Sequence, residues 1–94
     1  MKGLPPLPLS TVITWHELIQ ERIDEGFNEE WPSLSELARR VGVTKSCLDF
    51  YRTGKRIPTA PNLLALVKVL WPKDSQRMLY KLSNMMILDK AKNN

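Results

Sequence analysis

Residues 33–58, SLSELARRVGVTKSCLDFYRTGKRIP, leave the chain few ways to fold. Ser33 lies three residues before Glu36, the spacing of a capping box, in which the hydroxyl takes the Glu36 amide and the carboxylate reaches back to the Ser33 amide. Leu34, Leu37, Ala38 and Val41 then recur at helical spacing. Gly42 stops this helix, because a residue just past a helix end often takes a left-handed backbone that glycine adopts cheaply. Val43 can plug the core from the turn, and Thr44 can cap a second helix. Leu48 and Tyr51 give that second helix one buried face, while Lys45, Ser46, Asp49 and Phe50 lie on the other. Gly54, Lys55 and Arg56 close it with a turn and two positive charges. Two short helices of 34–41 and 45–53, a tight turn and a basic loop are therefore expected.

The flanking sequence supplies three further helices. Val12, Trp15, Ile19 and Ile23, with Leu18 beside them, recur every three or four residues, so an amphipathic helix of about four turns is expected. Ser10 or Thr11 is its expected cap and Gly26 its end. Phe27–Pro32 form an acidic connector carrying Trp31, and Pro32 holds the residue before it extended, ahead of the Ser33 cap. Thr59 or Ala60 caps a fourth helix with Pro61 in its first turn, where proline is tolerated. Leu63, Leu64, Leu66, Val67 and Leu70 make that helix apolar enough to be central. Pro72 follows it, and a fifth helix runs over about 74–90 with Met78, Leu79, Leu82, Met85, Met86, Ile87 and Leu88. No strand signal of any length and no internal repeat occurs. Residues 1–9 form a Pro-rich arm, LPPLPL at its centre, expected to be extended. Disorder, packing on the body and contact with a partner all stay open for it. One domain over 10–94 accounts for the rest.

Charge is unevenly placed. From His16 to Glu36 there are seven acids (Glu17, Glu21, Asp24, Glu25, Glu29, Glu30, Glu36) and one base, Arg22. From Leu37 to Arg56 there are six bases (Arg39, Arg40, Lys45, Arg52, Lys55, Arg56) and one acid, Asp49. A polyanion is drawn to the second segment and repelled by the first. The formal net charge is +4.

As a set, Glu36-Leu37-Ala38, Gly42-Val43-Thr44 and Tyr51-Arg52-Thr53-Gly54-Lys55-Arg56-Ile57-Pro58 resemble the helix-turn-helix of the phage Cro and repressor family, also called the xenobiotic-response-element type. Leu63–Leu70 fits that family's leucine-rich fourth helix, and the resemblance spans about 60 residues with the flanking helices. It implies an all-α, compact five-helix, lambda-repressor-like DNA-binding domain. It further implies a sequence-specific regulator of transcription, a bacterial or phage repressor that occupies a double-stranded operator and blocks polymerase. The alternative is the same fold used as a protein-interaction module or antitoxin, favoured by the Pro-rich arm, Trp31 and the Met-rich fifth helix.

The major groove admits one α-helix, and a helix-turn-helix lays its second helix there. On that docking Lys45 can donate to guanine O6 and N7, Ser46 can donate or accept, and Phe50 can meet a thymine methyl or belong to the core. Asp49 either accepts from cytosine N4, repels phosphate, or spends itself in an internal ion pair. The amino ends at Ser33 and Thr44, with Arg40, Arg52, Thr53, Lys55 and Arg56, are expected to hold phosphates. Two positions depart from the family. Leu34 stands where members often carry a glutamine that meets a phosphate. Arg52 stands where a glutamate often pairs with an arginine on the first helix, here roughly Arg22. Either Arg52 turns to DNA, or an acid such as Glu21, Glu25 or Glu29 compensates.

The apolar residues of the fifth helix exceed one face. A homodimer through Met78, Leu82, Met85 and Met86 is therefore expected, with two reader helices about 34 Å apart on a palindromic operator. Enzyme and metal chemistry are not expected, and no cofactor is implied. One His and one Cys cannot complete a zinc set, His16 reads as an ordinary helix residue, and Cys47 as a small half-buried hydrophobe. The four glycines, Gly3, Gly26, Gly42 and Gly54, are scattered and form no phosphate loop. A lone cysteine, no apolar run of membrane-spanning length and no signal-peptide pattern at the N-terminus lead to the expectation of a cytoplasmic protein.

Overall fold

The structure is a computed structural model and describes residues 14–92. The Pro-rich arm, Val12 and the expected caps Ser10 and Thr11 lie outside the described residues. Five helices follow in order: α1 (Trp15–Gly26), α2 (Leu34–Val41), α3 (Lys45–Thr53), α4 (Ala60–Leu70) and α5 (Ser75–Lys92). The cap of α1 is Thr14, a correction to the expected Ser10 or Thr11. Thr14 Oγ1 accepts the Glu17 amide and the Glu17 carboxylate accepts the Thr14 amide, a complete capping box at 3.2 and 3.0 Å. The pattern Thr14-Trp15-His16-Glu17 carries this box in the sequence. The capping box expected at Ser33 is only half present. Ser33 Oγ accepts the Glu36 amide at 3.1 Å, but the Glu36 carboxylate turns to Arg39 and Arg40 instead.

One face of every helix meets in a single core. Trp15, Ile19 and Ile23 come from α1, Leu37, Ala38 and Val41 from α2, and Leu48 from α3. Leu63, Leu66, Val67 and Leu70 come from α4, and Met78, Leu82 and Met86 from α5. Helix α1 packs on α3 and α5, α2 on α3 and α4, and α4 on α5. The expected dimer contacts therefore need correction. Met78, Leu82 and Met86 are buried inside this chain, and Met85 packs against the same core. The helix has one inner face, and these residues are on it. Trp15 Nε1 donates to Asp89 Oδ2 at 3.3 Å and ties the far end of α5 to the start of α1.

The acidic connector is a structural staple. Phe27 and Trp31 form an isolated bridge, and the amides of Glu29, Glu30 and Trp31 all donate to the Gly26 carbonyl. Trp31 is fully buried, so it is core and not a surface for a partner. Its Nε1 donates to the Ile23 carbonyl at 3.1 Å, and the Arg22 guanidinium lies 5.3 Å from its ring centroid. Arg22 also donates to the Leu70 carbonyl at 2.7 Å and to Glu30 at 2.7 and 2.8 Å. One cation thus binds α1, the connector and the carboxyl end of α4.

The Trp31 indole lies on Gly26 so closely that an added methyl would overlap its six-membered ring. Gly26→Ala is therefore expected to lower stability by about 1–3 kcal/mol through overpacking, read as the urea midpoint. An unchanged midpoint would show that the indole is not seated on Gly26.

Candidate nucleic-acid interface

The turn between α2 and α3 has only Gly42 and Val43 before the Thr44 cap. Gly42 takes φ 94°, and its amide and that of Val43 both donate to the Ala38 carbonyl, at 2.8 and 3.0 Å. Val43 then packs against the core. Thr44 Oγ1 accepts the Cys47 amide at 3.0 Å and starts α3. The angle between the two helices is set by this short, hydrogen-bonded link.

Helix α3 is held from behind. Leu48 and Tyr51 are buried, and Asn62 of α4 donates to the Tyr51 hydroxyl at 2.7 Å. Burial raises the Tyr51 pKa, with a hydrogen bond to Cys47 acting the same way. Arg52 donates to Asp49 Oδ1 at 2.7 Å and to Gln20 Oε1 of α1 at 2.9 Å. The outward face then carries Lys45 and Ser46, both exposed, with Asp49 and Phe50 half-buried beside them. Phe50 lies outside the core cluster and is covered by the Arg56 guanidinium 4.8 Å from its ring centroid. Lys45 Nζ donates to Asp49 Oδ2 at 3.1 Å. Burial works to raise the Asp49 pKa, but hydrogen bonds from Arg52 and Lys45 outweigh it and hold the carboxyl below its usual range.

The candidate phosphate ligands fall into two groups. Lys55 and Arg56 are exposed and make no ion pair among the described residues. Their amides donate to the Phe50 carbonyl, at 2.9 and 3.3 Å, so their side chains alone are available. The others have internal partners. Arg40 donates to Glu36 at 3.0 Å and to the Glu30 carbonyl at 2.6 Å. Arg52 is committed to Asp49 and Gln20 as described, so neither Glu21, Glu25 nor Glu29 supplies its counter-charge. Thr53 Oγ1 donates to the Asp49 carbonyl at 2.6 Å. The Ser33 and Thr44 hydroxyl oxygens accept from their own helices. Leu34, at the family's glutamine position, packs on the core.

Three elements of this face were not foreseen. Gln20 braces Arg52, but it stands on no periodic pattern. Asn62 braces Tyr51 in the same silent way. The stack of Arg56 on Phe50 joins residues six apart across Gly54, and its cue was the Phe-x5-Arg spacing around a helix stop. Cys47 is half-buried, as expected. It lines an open groove of about 520 Å³ with Arg39, Gly42, Val43, Thr44 and Asn62. No cluster of three or more His, Cys, Asp or Glu able to hold a metal occurs among the described residues, and no described helix is long and apolar enough to cross a membrane.

Glu36 receives hydrogen bonds from Arg39 and then Arg40, which push its pKa from 4.5 to about 2. The folded value lies below the unfolded one. The stabilisation from this carboxylate is therefore complete above pH 4.5 and is lost as pH falls toward about 2. Glu36→Gln is expected to flatten that part of the acid limb in the urea midpoint. Parallel curves for the two proteins would remove Glu36 from the acid response.

Residues 33–70 match the family model described as Helix-turn-helix. No curated protein and no solved structure matches the chain.

Proposed function

We propose that this chain, whose residues 33–70 match a helix-turn-helix family model and resemble the Cro and repressor type, is a sequence-specific regulator that inserts α3 into the major groove of duplex DNA. A repressor occupying an operator in the cytoplasm is the simplest form of this reading. One observation carries it. The inner face of α3 is fixed by Leu48, by the Asn62–Tyr51 bond and by the Arg52–Gln20 bond, yet Lys45 and Ser46 are exposed. A rigid rod with one free polar edge, beside a basic loop, suits groove reading.

Lys45, Ser46, Asp49 and Phe50 are the proposed base-reading set. Lys55 and Arg56, at the carboxyl end of α3, are the proposed principal phosphate ligands. The amino ends of α2 and α3 add partial positive charge at Ser33 and Thr44. Arg40 and Thr53 belong to the phosphate face only if DNA displaces their internal partners. Arg52 acts as a brace for α3. Phosphate contacts set position and non-specific affinity, whereas base contacts select sequence.

Lys55→Ala or Arg56→Ala is expected to weaken binding to all duplexes alike. Each change should make the logarithmic salt slope shallower by about one unit, measured by fluorescence anisotropy over a salt series. An unchanged slope removes that residue from the phosphate set. Failure of the parent protein to bind any duplex at micromolar concentration would favour the protein-interaction reading.

The outer face of α5 supports a second element of the proposal, a symmetric dimer. Tyr80, Ile87 and Leu88 are 73%, 64% and 70% exposed. Offsets of seven and eight residues bring all three to one side of the helix, opposite Met78, Leu82 and Met86. Such a stripe, left over after the core is closed, is the surface a second copy would cover. Leu88→Glu is expected to yield a monomer in sedimentation velocity at concentrations where the parent is a dimer, with folding unchanged. A parent that stays monomeric at tens of micromolar, with and without DNA, defeats the dimer.

A further inference from the structure

Lys45 and Asp49 stand one turn apart on the free edge of α3, with Nζ and Oδ2 3.1 Å apart. The carboxylate is anchored on its other oxygen. Oδ1 accepts from Arg52, and Arg52 is fixed in turn to Gln20 on α1. Oδ2 thus carries one internal bond and has a lone pair left, since an ionised carboxylate offers about four acceptor sites. Lys45 Nζ has three donors and spends one on Oδ2.

The groove edge of a G·C pair presents, in order, guanine N7 and O6 as acceptors and the cytosine N4 amino group as a donor. O6 and N4 are themselves a Watson–Crick hydrogen-bonded pair, so they lie about 2.7–3.2 Å apart. The Nζ to Oδ2 spacing falls inside that range, and its polarity is the complement. We propose that Lys45 and Asp49 act as one unit that reads a single G·C pair in a fixed orientation. Lys45 donates to guanine O6 and N7 while Asp49 Oδ2 accepts from cytosine N4, and the ion pair between them stays closed. The inference rests on the groove-reading function of α3 proposed above.

The same geometry rejects A·T and C·G outright and disfavours T·A through one lost contact. An A·T pair presents the adenine N6 amino group to Lys45 and thymine O4 to Asp49, which sets donor against donor and acceptor against acceptor. C·G likewise sets the cytosine N4 amino group against Lys45 and guanine O6 against Asp49, whereas T·A offers thymine O4 and adenine N6 in the favourable order and is disfavoured only because the thymine methyl stands where guanine N7 would accept from Lys45. Because Lys45 precedes Asp49 along α3, the guanine lies on the Lys45 side, and turning the pair round is not equivalent. Holding the carboxylate through Arg52 and Gln20 adds selectivity, since a mobile Asp49 could move away from a mismatched acceptor. Repulsion of the wrong base then acts beside attraction to the right one. A lysine bound to an aspartate brings little net charge to the groove, so this unit should contribute to sequence choice and little to the salt slope.

The test is site selection from random duplexes with the full chain, followed by affinities for the selected site and its single-pair variants. The selected site should contain one invariant G·C pair in each half-site at which both Lys45→Ala and Asp49→Ala lose preference. Changing that pair to A·T should cost the parent about ten-fold to a hundred-fold in affinity, and each variant far less. The double variant should lose little more than either single one, because the two residues act together. The salt slope of Lys45→Ala should stay within a few tenths of a unit of the parent's. Loss of preference at two different base pairs, or additive losses in the double variant, overturns the inference and leaves the DNA-binding function standing. Absence of any selected duplex overturns both. Should Asp49→Ala unfold once Arg52 is released, as a thermal melt would show, exposed Lys45→Ala alone decides. Retained preference for G·C at every position would then refute the unit.

Discussion

The reading role proposed for α3 requires a helix that cannot retreat. In this chain α3 owes its fixed position to the burial of Leu48 and Tyr51 and to two polar ties, one to α4 through Asn62 and one to α1 through Gln20. Burial alone resists removal of the helix from the core but permits rolling about its axis. The ties oppose rolling, because they leave from adjacent residues about 100° apart around the helix and run to two different helices. The rest of the molecule serves this restraint. Helix α1 must be held for Gln20 to act as an anchor, and Arg22, Trp31 and the connector hold one end of it while Asp89 holds the other.

The charge map of the folded protein differs from that of the chain. Read along the sequence, the segment from Leu37 to Arg56 carries six bases against one acid. Folding neutralises much of this. Glu36 takes Arg39 and Arg40, and Asp49 takes Lys45 and Arg52. Lys55 and Arg56 remain, together, just past the end of α3. Exposed ion pairs of this kind contribute little to stability because water screens them. Their effect is to sort the bases. Those within the helices become shape and position, and those in the loop keep a field that reaches outward.

Most of the fold was legible because caps and stops are local. Ser33, Gly42, Thr44 and Gly54 each act on a neighbour within a few residues, so the bounds of α2 and α3 could be read directly. Helix α1 starts later than its apolar period implies, because Val12 continues that period upstream toward Ser10 and Thr11, past the capping box at Thr14 and Glu17. The face of α5 was misassigned for a different reason. Met78, Leu82, Met86 and Tyr80, Ile87, Leu88 are two apolar stripes on opposite sides of one helix, and periodicity does not say which one the core will take. The candidate interface was legible in its residue types and not in its internal partners. Lys45, Asp49, Lys55 and Arg56 stand where the pattern puts them, but whether each is paired depends on Gln20, Asn62 and Glu30, which come from other elements and carry no local signal.

One departure from the pattern that the sequence resembles, Arg52, becomes intelligible in the structure. A glutamate after the aromatic of the reader helix and an arginine on the first helix would pin α3 to α1 by an ion pair. Here both positions are arginine, and the two cannot meet. Arg22 has gone instead to the connector and the end of α4. Arg52 keeps the tie to α1 with a neutral partner, Gln20, which brings no counter-charge. That counter-charge comes from Asp49, three residues earlier on the same helix. An acid is thereby held on the edge of α3 that carries exposed Lys45, the edge proposed to face the groove. Once Asp49 must stand on that edge, Lys45 one turn before it is the cation within reach on the remaining oxygen. With arginine in place of the glutamate, the acidic partner of this tie is Asp49, on the same edge of α3 as exposed Lys45, where the proposed reading gives its free acceptor a cytosine amino group.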